Sequence, residues 1–453
     1  MTSTDSDLTV LDPVFVVDGQ KRGLPWILHA LEDGQHVRFD HLRPHQKHAW
    51  HLFLVRTAAM LGPTGSWEER LQAEGDIWDV YPDPGKCGFF QPKGDIEDDG
   101  YKETTYIEQR DTVKINGTHH RYKGHNAGAL DFLLYTLVSS QTINKMDGAH
   151  SRPSLRMSAT FGDRAYISKV PGLSWPERFS SDVEFARSQH GSDTGAYFLW
   201  SKAFQDQDVD WDDCHPLVAD SSLQIRLKEG RMYYNPTWDW PLSTDSDELG
   251  LAAADLWQPV DKNAGELKNT QSSGFEYNLV REYLVGDNYK IPAIHDQTLT
   301  GTVYFVARTV AGRLNESGSA GIHHRTVEIP SDEEVLFSED FGQRSREYVE
   351  RAGEVKKAFA AAAAAFFDVQ SVGDSRESSF PGRATHYYTQ LDEAIDQEFF
   401  PHLFGRFGEE GQAAEWRSHV QSLAEGYLDE MTKHSTNWEA RAASKNIFTS
   451  SAS

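Results

Sequence analysis

Apolar residues in the last quarter of the chain return at intervals of three and four. Val355, Phe359, Ala362 and Phe366 make one such row, and Trp416, Val420, Leu423 and Tyr427 make another. That spacing puts side chains on one face of an α-helix. The run from Ala360 to Ala365 is low in complexity but strongly helix-forming, and close helix packing accounts for it. Residues 332–453 therefore read as a C-terminal four-helix bundle, with a boundary near residue 332.

The pattern before that boundary is mixed. Residues 8–17 combine β-branched and aromatic residues around Pro13, as in an edge strand or two short strands. Pro44 suits a first helical turn and opens a stretch in which Ala49, Leu52, Phe53, Ala59 and Met60 recur near helical spacing. From Tyr81 to Gly128 periodicity is lost in favour of Gly, Asp, Pro, Lys and His, which reads as a long loop carrying short strands. Asp131 to Ile143 predicts a second apolar helix, and Lys145 to Arg164 a second polar loop. Phe275 to Leu284 predicts a helix and Thr302 to Val310 a strand. The stretch from Val303 to Ile329 has the form of a β-hairpin with a polar tip. The fold class is α+β: a large mixed α/β N-terminal domain over 1–331, followed by the bundle.

At 453 residues with 12 Trp, the chain is long enough for two domains and rich enough in large side chains to fill their cores. No apolar run reaches the ~18 residues that span a bilayer, so no membrane association is expected. The first eight residues lack a basic and then apolar leader, which predicts a cytoplasmic protein. Cys87 and Cys214 are too few for a disulfide framework or a thiolate zinc site. The net charge of −25 opposes free-standing duplex binding. Residues 102–170 run against that balance, with ten Lys or Arg against six Asp or Glu.

Enzyme signatures are missing. No P-loop, GxGxxG or GxSxG string occurs, so neither a cofactor nor a catalytic residue is assigned. His41, His45, His48 and His51 stand at helical spacing but without the carboxylate of an HExxH pattern, and a surface or capping role suits them better than a metal. Abundant carboxylates and tryptophans leave a carbohydrate-binding or glycoside-cleaving protein as the rival reading, although no spacing singles out a carboxylate pair. The segment from Asn116 to Asn126, with Gly117, His119, His120 and Lys123, is dense in donors and poor in acids. It reads either as an ordinary solvated loop or as donors laid along a phosphate backbone or into a minor groove.

Several segments together resemble the CasA family, the large subunit of the type I-E CRISPR Cascade complex. They are residues 8–17, Leu42-Arg43-Pro44-His45-Gln46-Lys47-His48-Ala49, Gly88-Phe89-Phe90-Gln91-Pro92, Arg156 to Arg164, Gly274-Phe275-Glu276-Tyr277, and the hairpin ending Gly321 to Val327. The resemblance implies a non-catalytic subunit that recognises the protospacer-adjacent motif in target double-stranded DNA and promotes duplex opening and R-loop formation. It also implies recruitment of a helicase-nuclease in antiviral defence, with the backbone and small helical Cascade subunits and crRNA as partners. A loop that docks the subunit and reaches the motif would match Asn116, Gly117, His119 and His120. A glycine-rich loop near the minor groove would match Lys145 to Ala149, where Gly148 keeps the glycine beside Ala149. A lysine entering the minor groove would match Lys262, or Lys268 as second choice. The wedge that splits the first base pairs would match Asn315, Glu316, Ser317, Gly318 and Ser319.

Overall fold

Side chains that the hydrophobic pattern marks in the first sixty residues close on one another. The structure is a computed structural model and describes residues 8–97, 100–103, 114–115, 118–119, 129–142, 165–202, 214–219, 224–235, 255–265, 268, 270, 274–311, 321–330, 338–367, 382–406, 409, 411–435 and 438–452. Strand β1 (Phe15–Val17) pairs antiparallel with β2 (Gln20–Arg22). Helix α1 (Leu24–Glu32) has Pro25 in its first turn, where a fixed φ suits the helix. The chain reaches that helix through Gly23, where a Cβ would stand 2.1 Å from the Leu11 carbonyl oxygen, so only glycine fits. A 3-10 turn over Pro44–Gln46 leads into α2 (Lys47–Met60), which is buried on nearly every side. Helix α3 (Trp67–Gln72) opens on a capping box between Ser66 and Glu69.

The described part of the Gly- and Pro-rich stretch after Tyr81 is irregular backbone, as expected, but it is held inside the fold. Phe89 and Phe90 are fully buried, and Phe90 stacks on Trp200 with ring centroids 4.1 Å apart. The Arg226 guanidinium donates to the carbonyls of Pro82, Asp83, Lys86 and Pro92. The Gln91 side chain donates to the Val80 carbonyl and accepts from the Leu227 amide. An irregular backbone is held inside because its polar groups are met by side chains.

Strand β3 (Lys102–Glu103) and the β4 (Lys114–Ile115) and β5 (Thr118–His119) pair precede α4 (Leu130–Thr142), where Asp131 to Ile143 was expected as helix. Strand β6 (Tyr166–Val170), helix α5 (Trp175–His190), β7 (Ala196–Phe198), the short α6 (Leu199–Lys202) and β8 (Cys214–Ala219) follow, with β7 and β8 parallel. Strands β9 (Ile225–Lys228) and β10 (Arg231–Tyr234) form a sheet in the order β3-β10-β9. Next come β11 (Val260–Asp261), α7 (Tyr277–Val285), β12 (Tyr289–Lys290) and α8 (Pro292–His295). The expected hairpin is present as β13 (Val303–Ala311) and β14 (Gly321–Ile329), in a sheet ordered β14-β13-β6.

The chain divides into two compact units, residues 1–275 with 288–331, and residues 276–287 with 332–453. At the centre of the first unit, the Asp182 carboxylate on α5 meets His51 Nε2 at 2.7 Å, Ser168 Oγ at 2.5 Å, Trp257 Nε1 at 3.2 Å and the Tyr166 hydroxyl. All five side chains are buried, and burial without partners would be costly for each polar group.

The second unit contains α7 and four further helices, α9 (Glu339–Phe366), α10 (Gly382–Gly405), α11 (Gln412–Thr432) and α12 (Trp438–Ala452). Helix α9 packs along α10, α11 and α12. The Trp416 ring lies nearly parallel to Tyr348 at 5.4 Å, and its Nε1 donates to the Tyr348 carbonyl at 3.0 Å. In α11 the buried row is Trp416, Val420, Ala424 and Leu428, every fourth residue, while Leu423 and Tyr427 are half-buried at its edge. Ala362, Ala363 and Ala364 are buried, and Ser444 Oγ of α12 donates to the Ala362 carbonyl at 2.8 Å. Small residues thus allow the close helix approach that the alanine run implied. Among the described residues, no helix is long and apolar enough to cross a membrane.

Candidate nucleic-acid interface

Two of the expected DNA-contacting lysines sit on one braced turn. The segment before it is anchored in the core: Trp257 is fully buried, its carbonyl accepts from the Ile167 amide, and Asp255 pairs with Arg56 at 2.7 Å. The chain then surfaces through β11. The Asp261 carboxylate accepts from the amides of Asn263 at 2.8 Å and Ala264 at 3.1 Å, and the Gly265 amide returns to the Asp261 carbonyl. Those backbone donors, Ala264 first, and then the Lys268 charge hold the Asp261 carboxyl below the usual range.

The turn presents Lys262, which is exposed and whose amide donates to the Asn288 carbonyl at 2.9 Å. Lys268 is half-buried; its amide donates to the Pro259 carbonyl and its Nζ lies 5.7 Å from the Tyr289 ring. Lys290 is exposed on β12, opposite Val260 in the β11–β12 pair, and adds a third cation to this turn and its paired strand. Nothing in the spacing of the sequence marks Lys290, because its place depends on pairing across an intervening helix.

The hairpin β13–β14 forms nine residue pairs, from Val303 opposite Ile329 to Ala311 opposite Gly321, a stem of about 30 Å. Strand β6 pairs with β13 only over Tyr304 to Arg308, so the last three pairs run past the end of that strand. Gly274, with φ +79°, braces the same stem: a Cβ there would lie 2.3 Å from His323 Nδ1. Strand β4 packs against β14, and Lys114 stands opposite His119 in the β4–β5 pair. The backbone on either side of Asn116 and Gly117 is therefore brought to the hairpin stem.

The structure does not describe most of the expected contact residues. Asn116, Gly117, His120, Lys123, Lys145, Gly148, Ala149 and Asn315 to Ser319 lie outside the described residues, and of His119 only its place in β5 is described.

The histidine row is corrected. His48 and His51 are buried core residues of α2, and His41 Nδ1 lies 2.8 Å from both oxygens of the buried Asp131, whose carboxylate also accepts from the Val16 amide. His48 and His51 are therefore core rather than surface groups, because α2 is buried on nearly every side, and the His45 side chain lies outside what is described. Among the described residues, no group of three His, Cys, Asp or Glu is arranged to hold a metal ion. Every tryptophan side chain described is buried or half-buried, so none offers the exposed stacking surface that sugar binding would use.

No protein-family model and no curated protein sequence matches the chain. Solved structures do match it over nearly its whole length. CasA of Thermus thermophilus superposes with a TM-score of 0.60 at 14% identity, covering 98% of this chain and 99% of that one. Cse1 of Acidimicrobium ferrooxidans gives 0.59 at 12% identity, covering 98% and 97%. A chain of a CRISPR RNA-guided surveillance complex gives 0.63 at 12% identity, covering 98% and 99%. The order of elements from β1 to the terminal helices is thus the order of a known architecture, and the fold of this chain is the CasA fold.

Proposed function

We propose that this chain is the non-catalytic large subunit of a Cascade-like complex. In this role it recognises a short motif beside the target in double-stranded DNA, promotes opening of the duplex for pairing with crRNA, and recruits a separate helicase-nuclease. The observation that carries the reading is the CasA fold over 98% of the chain. Two further features support it: a long hairpin stem whose connecting residues include Asn315 to Ser319, and a braced turn that offers Lys262 and Lys268. The net charge of −25 fits a subunit that depends on basic neighbours already wrapped around guide RNA rather than one that binds duplex alone.

The test is reconstitution. The purified chain is expected to bind a target duplex only together with the guide complex, and to add motif-dependent strand opening when it joins. Failure to associate with any crRNA-bearing complex encoded beside it would end this reading.

A further inference from the structure

Three cations gather in the first unit, and among the described residues no acid forms an ion pair with any of them. Arg178, in the first turn of α5, is 2% exposed, and its Nε and Nη2 reach no acceptor. Arg308 on β13 has Nη1 buried without an acceptor. Lys47 is the first residue of α2, half-buried. Tyr166 lies among them: it stands opposite Arg308 in the β6–β13 register, its ring centroid is 6.0 Å from the Arg178 guanidinium carbon, and its hydroxyl is 3.2 Å from His51 Nε2, one turn along α2 from Lys47. Burial and then the Arg178 charge bring Arg308 down to about 9, and burial followed by Arg308 and Arg178 pulls Lys47 below the usual ammonium range. His324 stands opposite Arg308 in the hairpin register and is pushed down to about 4, by burial first and then by Arg308, Arg178 and Lys47.

The carboxylate one turn along α5 does not answer this charge. Asp182 already accepts from His51, Ser168, Tyr166 and Trp257, and a carboxylate has about four acceptor sites. The chain holds 69 acidic residues against 44 basic ones, so partners are abundant. Guanidinium nitrogens buried without an acceptor are costly in so acidic a protein, even with the Tyr166 and Trp175 rings 6.0 Å and 5.8 Å from Arg178, unless something outside the chain completes them.

We propose that Lys47, Arg178 and Arg308 form a seat for a phosphate group of a nucleic-acid backbone. Two planar forks and an ammonium supply more donors than one carboxylate can accept, whereas the spread oxygens of a phosphate take donors from several directions. The choice of nucleic acid as the source rests on the function proposed above. Arg308 is the last residue of β13 that pairs with β6, so the seat lies where the hairpin leaves the three-stranded sheet. A phosphate held there fixes a strand beside the stem that carries residues 312–320.

The experiment compares the full chain with Arg308→Gln and Lys47→Gln, measuring the thermal midpoint in chloride and in inorganic phosphate at matched ionic strength. Phosphate is expected to raise the wild-type midpoint by ligand linkage. Arg308→Gln is expected to have a higher midpoint than wild type in chloride, because repulsion is relieved, and to lose the phosphate response. A merely structural arginine would lower the chloride midpoint instead. No phosphate response in the wild type, or an equal one in all three proteins, overturns the seat.

In a second arm the same proteins join the guide complex on a target duplex. There Arg308→Gln should reduce the slope of log K against log salt by about 1. An unchanged slope with a retained phosphate response would assign the seat to free phosphate and overturn the nucleic-acid source. Should the wild type fail to join the guide complex, the proposed function fails while the phosphate comparison still decides the seat.

Discussion

His51 Nε2 lies 2.7 Å from Asp182 Oδ2, and both side chains are fully buried. The pair joins α2 to α5, and the second ring nitrogen, Nδ1, is buried without a partner. A charged imidazolium would leave a buried N–H unmet there, whereas a neutral ring carrying its proton on Nε2 leaves only a lone pair. The arrangement therefore favours neutral histidine donating to ionised aspartate. Burial, reinforced by the Arg178 charge, lowers His51 to about 4 against the pull of Asp182.

The pH dependence follows with a definite sign. The folded His51 pKa lies below the unfolded value of 6.5, so the unfolded chain binds the extra proton. Stability from this group is complete above about 6.5 and is lost as pH falls toward 4, to a limit of roughly 3 kcal/mol. His324 titrates in the same direction, but its side chain is only partly covered and remains in contact with water, so it is screened and contributes less. Urea unfolding midpoints measured across this window should fall with acid in the wild type and fall distinctly less in His51→Gln. Parallel curves for the two proteins would show that His51 is not the titrating group.

The second pair that organises the first unit is Arg56 with Asp255, 2.7 Å apart and 199 residues apart in sequence. Asp255 also accepts from the Trp257 amide, so the pair fixes the entry to the lysine turn. Replacing one partner leaves the other charge buried and alone. Asp255→Leu is expected to cost about 3–5 kcal/mol in chemical denaturation. The double change Arg56→Met with Asp255→Leu should recover most of that loss. A double variant no better than the single one would mean that the carboxylate matters for its backbone contact rather than for its charge partner.

These two pairs mark where reading the sequence stops. The terminal helices were legible because Val355, Phe359 and Ala362, or Trp416 and Val420, repeat at local spacings that geometry alone converts into a face. The nine-pair hairpin was legible for the same reason, its two β-rich arms lying close in sequence. The Asp182 hub was not, since His51 lies 131 residues from Asp182 and only folding brings them together. Tyr81 to Gly128 reads as a long loop carrying short strands, and over residues 81–97 the backbone is irregular, but its enclosure was not legible, since Arg226, more than a hundred residues away, satisfies four of its carbonyls. For the candidate interface, Lys262 and Lys268 were reachable only through family resemblance. The Asp261 turn that braces them and the neighbouring Lys290 needed the pairing of β11 with β12.

The lysine turn and the hairpin should separate on mutation. Lys262 is exposed on a turn whose backbone is already held by Asp261 and Asn288, so Lys262→Ala removes a charge without unfolding its support. In the reconstituted complex this change is expected to weaken motif-dependent duplex binding by about 1–3 kcal/mol and to lower the salt slope by about 1. Equal losses on motif and non-motif DNA would count against a reading role. Exchanging residues 315–319 for glycines leaves the β13–β14 pairs intact, and should spare initial docking while reducing permanganate reactivity of the opened strand, because unstacking costs a few kcal/mol per step and needs a blocking surface. Docking lost together with opening in the glycine variant would place these residues in motif contact, and opening unchanged would remove the wedge from the hairpin.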